Sequence, residues 1–404
     1  MPLSLLPFLR DAPWLTVRRA RNYSTLLIAA YVFAIAWALT GAGASDPNGK
    51  PIGTDFVSFW TVSFALLHGD AASLYQPEKL AALEQAVTAS TPLFFAWSYP
   101  PIALLVVAPL ALLPYLWSLA AWLLFGLAFY LQALWRILPQ RLTLWVGLAF
   151  PAVFLTLGHG QNALLSAGLV GTGLALVTVQ PVIAGIALGA LAFKPQLGLL
   201  VPLALAAGGH WRAFAAAAAT VVLLVATTVA LYGIETWRAF FAVLPFSRAM
   251  LEQGLVPFFK FQSIFAAARL DGASVGLAYA LQAAGSVAAA AVTCWVWRRP
   301  ADQAVKNAVL ILASLLATPF ILDYDLTLLA LAIAWLADAQ RDGALPWERT
   351  ALAIAFFLPL FARPLADFTG IPATPLVAAA LLVIAWRRCA GPAALPNQSA
   401  TATA

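Results

Sequence analysis

Asp55 is the residue around which chemistry can be built. It sits in Gly53-Thr54-Asp55-Phe56-Val57-Ser58-Phe59-Trp60, directly after the uncharged apolar run 24–45, which is about long enough to cross a bilayer. A carboxylate held at a membrane surface by Phe56, Phe59 and Trp60 stands where a lipid-borne substrate presents its headgroup, and there it can act as a general base. The same placement also fits an ordinary loop aspartate beside an interfacial aromatic belt. Lys194 is the second such residue, because it lies inside the apolar stretch 182–207. A lysine there costs at least about 2.5 kcal/mol on insertion scales, so it calls for a partner or a task. Pro195 breaks the helix at that point and lets Lys194 face a cavity. A lipid phosphate or a buried carboxylate can each pair with it.

Other polar residues interrupt apolar surroundings. Gly160-Gln161-Asn162 separates two apolar runs, and its amides can bind sugar hydroxyls or satisfy backbone groups at a helix end. Tyr99-Pro100-Pro101 is a helix start that fixes where the chain re-enters the membrane, with Tyr99 at the interface. Asp323 and Asp325 form an acidic element at a helix end, where they can serve a site or merely start the helix. Arg248 and Lys260 lie among aromatic residues in a long polar segment.

The elements that must position these residues follow from composition. Of 404 residues, 63% are hydrophobic and only 9% charged, against about 25% charged in a soluble protein. The expected fold is all-α, a polytopic integral membrane protein of about twelve spans, each bounded by Pro, Gly or charge. Residues 1–23 are expected to be a cytoplasmic tail, 24–388 the transmembrane domain, and 389–404 a disordered tail. With the N-terminus inside, Arg212, Arg298, Arg299, Lys306, Arg341, Arg349, Arg387 and Arg388 fall inside, as the positive-inside bias requires. Arg136 and Arg141 fall outside and break it.

Two polar segments, about 45–100 and 233–272, lie on the outer side in this count. Leu80, Leu83 and Val87 recur at helical spacing in the first, predicting an amphipathic helix on the membrane. The second interleaves Trp237, Phe240, Phe241, Phe246, Phe258, Phe259 and Phe261 with Arg238, Arg248, Lys260 and Arg269. The net charge of +6 is dispersed, so nucleic acid is not an expected partner. His68, His159 and His210 are far apart, and Cys294 and Cys389 have no partner spacing; no metal or cofactor is expected. Three function classes remain: an enzyme acting on a lipid-linked molecule, a transporter or flippase, which Lys194 and broken helices also fit, and a non-catalytic assembly or scaffold protein, in which Asp55 would be incidental.

A series of short motifs then lines up in order: Gly53-Thr54-Asp55-Phe56, Gly69-Asp70-Ala71-Ala72-Ser73-Leu74-Tyr75, Phe95-Ala96-Trp97-Ser98-Tyr99-Pro100-Pro101, Pro109-Leu110-Ala111-Leu112-Leu113-Pro114, Gly160-Gln161-Asn162, Lys194-Pro195-Gln196, and Pro319-Phe320-Ile321-Leu322-Asp323-Tyr324-Asp325. Over roughly residues 50 to 330 the series resembles glycosyltransferase family 87, membrane enzymes of the GT-C class. The resemblance implies transfer of mannose or a related hexose from a polyprenyl-phosphate sugar to a lipid or glycan acceptor, on the outer face of the cell membrane and with inversion. It implies Asp55 as general base, and Lys194, with Arg248 or Lys260, stabilising the leaving phosphate. Tyr99, Gln161, Asn162, Asp323 and Asp325 are then expected to bind substrate. The family often carries Trp and paired His where this chain has Leu322, Tyr324 and Asp325, a departure that bears on the substrate.

Overall fold

The computed structural model describes residues 5–69, 71–88, 94–341 and 343–390, and among them every regular element is a helix. Extended pairing there is confined to two isolated antiparallel bridges, Ser45 with Pro51 and Phe261 with Leu322. Helices are what such apolar runs must form in lipid, where each backbone group needs a partner within its own segment. Asp70, within one of the quoted motifs, and most of the expected C-terminal tail lie outside the described residues; the last helix, Thr374–Ala390, runs into the start of that tail.

Among the described residues four helices are long and apolar enough to cross a membrane singly: Tyr115–Ile137, Trp211–Tyr232, Val275–Trp297 and Glu348–Thr369. The pair Arg141–Ala149 and Pro151–His159, bent by 54°, makes a fifth if counted as one span. Other apolar runs fold as shorter helices, such as Ala163–Leu176, Pro181–Ala190, Gln303–Leu316 and Thr327–Asp338. Hydropathy registers an apolar run but not the prolines that cut it, here Pro151, Pro181 and Pro195. The helix that carries the first apolar run, Val17–Ala38, follows a short helix Leu5–Asp11 and starts earlier than the run because Thr16 caps it by accepting from the Arg19 N–H. It also ends earlier, in a tight turn where Gly41 lies against the Ser45 carbonyl.

Packing divides the molecule into a buried centre and a lipid-like exterior. Gln303–Leu316 is buried almost all round, against Val275–Trp297, Thr327–Asp338 and Thr374–Ala390. Trp211–Tyr232 by contrast leaves Val222, Leu223 and Leu231 exposed, a face suited to lipid rather than water. It docks on Pro181–Ala190 through Gly185 and Gly189, whose missing side chains admit the backbone of Ala213 and Ala217. That is the small-residue contact by which membrane helices approach closely.

Charged segments expected on the inner side meet at one end. Trp347 donates its N–H to the Arg10 carbonyl at 2.7 Å, and Arg388 pairs with Glu348 at 2.5 Å. The two long polar segments meet each other: Ser98 and Ser247 hydroxyls are 2.8 Å apart, and Tyr75 packs edge-on against Phe240 at 5.8 Å. The amphipathic helix forms as Pro77–Thr88, but it buries Leu80 and Glu84 in protein instead of resting only on a membrane. Its neighbours are Phe56–His68 and the turn Ala71–Tyr75. Val87 has a side chain outside the described set.

Candidate active site

Two glycine turns lie back to back and create the site. Gly53 and Gly160 both hold left-handed backbone, at φ +70° and +66°. A Cβ on Gly160 would stand 2.5 Å from the Phe56 Cβ and 3.0 Å from Leu119, so the turns can touch because Gly160 has none, while a Cβ on Gly53 would run into Leu119 at 2.8 Å. The Asp55 N–H donates to the His159 carbonyl at 3.0 Å. Trp122 Nε1 donates to the Gly160 carbonyl at 3.1 Å and the Tyr115 hydroxyl to the Ile52 carbonyl at 2.8 Å. Gly160→Ala is expected to cost roughly 2–5 kcal/mol, from left-handed strain and overpacking together, with a fall in Tm in detergent as the readout. An unchanged Tm would mean that the turns are not in tight contact.

The backbone contact presents a run of polar side chains. Gln161 Nε2 donates to Asp55 Oδ2 at 2.8 Å, while its Oε1 accepts from the Tyr99 hydroxyl at 3.3 Å and from the Asn162 N–H at 3.2 Å. Asn162 Oδ1 accepts from Lys194 Nζ at 3.1 Å, and Lys194 reaches Asp325 Oδ1 at 2.5 Å. Asp325 Oδ2 accepts from the Leu322 N–H at 3.2 Å. Asp55, Gln161, Tyr99, Asn162, Lys194 and Asp325 are thus one hydrogen-bonded network drawn from five separate motifs.

Its two ends differ. Asp55 and His159 side chains are 27% and 26% exposed, with His159 Nδ1 4.0 Å from Asp55 Oδ1. Thr54 Oγ1 lies between them, 2.8 Å from His159 Nδ1 and 3.4 Å from Asp55 Oδ1. Lys194 and Asp325 are 2% and 1% exposed. Lys194 is in the irregular break at Pro195, as the sequence predicts, but there it faces Asn162, Asp325 and the Tyr324 ring, 5.2 Å away. Asp323 and Asp325 are buried and so are not simple exposed helix starters. Asp323 Oδ2 binds Arg363 Nη2 at 2.7 Å, and its Oδ1 accepts from the Tyr324 N–H at 3.1 Å. Beside Tyr99 and Asn162 lies a cavity of about 10 Å³ walled by Phe59, Trp97, Trp122 and Phe193, room for about one water. The Asp55–His159 end is the open one.

Arg248 and Lys260 are not part of the network. Arg248 is exposed, pairs with Glu252 at 2.5 Å and covers the Tyr279 ring at 5.6 Å. Lys260 ends the turn Phe258–Lys260, next to the Phe261–Leu322 bridge. Sequence reasoning missed Thr54, His159 and Arg363. His159 directly precedes the Gly160-Gln161-Asn162 motif, and Arg363 interrupts an apolar run as Lys194 does. Glu84, on the amphipathic helix, is a further residue that the helical spacing does not single out. Glu84 is fully buried and accepts the Phe95 N–H at 2.9 Å, tying its helix to the segment that leads to Tyr99. Burial pushes its carboxyl up to about 8, with the charge of Asp55 adding to the shift, so it carries a proton at neutral pH.

The model of glycosyltransferase family 87 matches residues 97–319. That range contains Tyr99, Gln161, Asn162 and Lys194, while Asp55 and Asp325 lie on either side of it and join it through the network. No curated protein and no solved structure matches the chain.

Proposed function

Because the chain belongs to glycosyltransferase family 87, we propose that it moves a hexose, mannose foremost, from a polyprenyl-phosphate sugar to a lipid or glycan acceptor. The proposed setting is the outer face of the cell membrane, with residues 1–23 cytoplasmic and about twelve crossings between 24 and 388. The observation that carries this assignment is the single network that brings five motif segments to one half-open carboxylate, Asp55.

The reaction is a direct displacement with inversion. Asp55 takes the proton of an acceptor hydroxyl as that oxygen bonds to the anomeric carbon. The bond from the anomeric carbon to the phosphate oxygen breaks, and polyprenyl phosphate leaves with the electron pair. Gln161 fixes Oδ2 of Asp55, which leaves Oδ1, on the side of Thr54 and His159, to receive the proton. Tyr99, Gln161 and Asn162 offer amide and hydroxyl groups for sugar hydroxyls. Lys194 and Asp325 hold Asn162 and the Asp323–Leu326 turn together, and so set the floor on which the sugar rests.

The donor is tested by supplying polyprenyl-phosphate mannose and a nucleotide-mannose separately to detergent-purified protein, with and without EDTA. Transfer is expected from the lipid donor alone, with little effect of the chelator. Efficient transfer from the nucleotide-sugar in the absence of lipid would overturn the proposed donor.

A further inference from the structure

Lys194 is neutralised by Asp325 at 2.5 Å and closed off from solvent, so its charge is already committed before any substrate arrives. Two other cations stand close to the same turn. Phe261 and Leu322 form an antiparallel bridge, and the Gln262 N–H donates to the Ile321 carbonyl at 2.7 Å. The bridge brings the end of the turn Phe258–Lys260 next to the start of the turn Asp323–Leu326, so Lys260 and Asp323 flank it. Arg363 reaches the same Asp323 from the Glu348–Thr369 helix, at 2.7 Å.

Arg363 is the cation that Asp323 binds, and Lys260 stands next to the bridge beside that turn without an ion pair to Asp323. The Lys260 ammonium makes no hydrogen bond or ion pair among the described residues, and Arg363 Nε is buried without a partner. The Arg363 side chain is still 29% exposed. An arginine has five donors in a planar fork suited to phosphate, and a single Nη contact to Asp323 leaves most of them unspent. Tyr324, between Asp323 and Asp325, turns its ring against His159 at 6.0 Å, so the turn that carries Asp323 also contacts the His159 end of the site.

We propose that Arg363 and Lys260 form the subsite for the phosphate of the lipid-linked donor, with Asp323 holding Arg363 in place, and that Lys194 is a buried clamp instead of the phosphate ligand. The assignment rests on the proposed lipid donor.

The test uses the purified full chain in detergent and titrates farnesyl phosphate, with farnesol and inorganic phosphate as separate arms. Wild type is expected to bind farnesyl phosphate more tightly than either control. Lys260→Gln and Asp323→Asn/Arg363→Gln are each expected to weaken that binding at least about tenfold, the value of one charge-assisted contact, with farnesol binding unmoved. The double variant removes the buried carboxylate together with its cation, and Lys260→Gln removes no existing contact, so that single variant decides the matter if the double does not fold. Unchanged farnesyl phosphate affinity in Lys260→Gln would overturn the subsite while leaving the lipid donor standing. Wild type that binds farnesol as well as farnesyl phosphate would overturn the donor assignment itself, and equal binding of inorganic phosphate would reassign the subsite to a free anion.

Discussion

Asp55→Asn is expected to leave a folded protein whose transfer rate falls at least about a hundredfold, the lower bound for loss of a general base. The substitution is nearly isosteric. Its carbonyl oxygen can still accept from Gln161 Nε2, which now holds Asp55 Oδ2 at 2.8 Å, and the backbone N–H still reaches the His159 carbonyl. What disappears is the atom that takes the acceptor proton. The expected signature is therefore a drop in kcat with donor KM little changed and Tm close to wild type, measured with polyprenyl-phosphate mannose. His159, 4.0 Å from Asp55 Oδ1, can carry part of the residual activity, so His159→Ala in the Asp55→Asn background should lower it further. Normal turnover by well-folded Asp55→Asn protein would remove Asp55 from the chemistry.

Much of this site was legible in the chain because the cost of a polar residue in apolar surroundings is local. Lys194, Gln161 and Asn162 each announce themselves inside apolar runs, and all three are found in one network. The partner was not legible. Asp325 lies 131 positions from Lys194, and nothing in either segment encodes that separation. Arg248 and Lys260 show the converse: their interleaving with aromatics says interface, which leaves open which of them turns toward the site. Arg248 is spent on Glu252 and Tyr279, whereas Lys260 sits beside the Asp323 turn. Fold class was readable from composition, since lipid leaves little but helices. Helix lengths were less so: Pro151 bends one apolar run by 54° and Pro195 breaks another. Glu84 was hidden for a different reason. It lies on the same amphipathic helix as Leu80, and helical spacing alone marks the apolar face without saying that an acid shares it.

Lys194→Met is expected to lower stability by about 3–5 kcal/mol, because it strands a buried carboxylate. Lys194 and Asp325 side chains are 3% and 0% exposed, so water cannot replace the lost contact, and Asn162 loses a donor at the same time. The methionine keeps most of the stem and its packing, which confines the change to the charge. Asp325→Asn alone should strand the ammonium and destabilise by a comparable amount. The double variant Lys194→Met/Asp325→Asn leaves no buried charge and should recover most of the loss, since replacing both members of a buried pair is often close to neutral. In Asp325→Asn the new amide oxygen can still accept from the Leu322 N–H, which preserves the turn that holds Asp323 and Tyr324. Thermal unfolding in detergent of the four proteins gives the coupling energy directly. A double variant that is stable yet still binds farnesyl phosphate as wild type does would show Lys194 to be a clamp. One that is stable but has lost that binding would instead return the phosphate to Lys194 and displace Arg363 and Lys260 from the role.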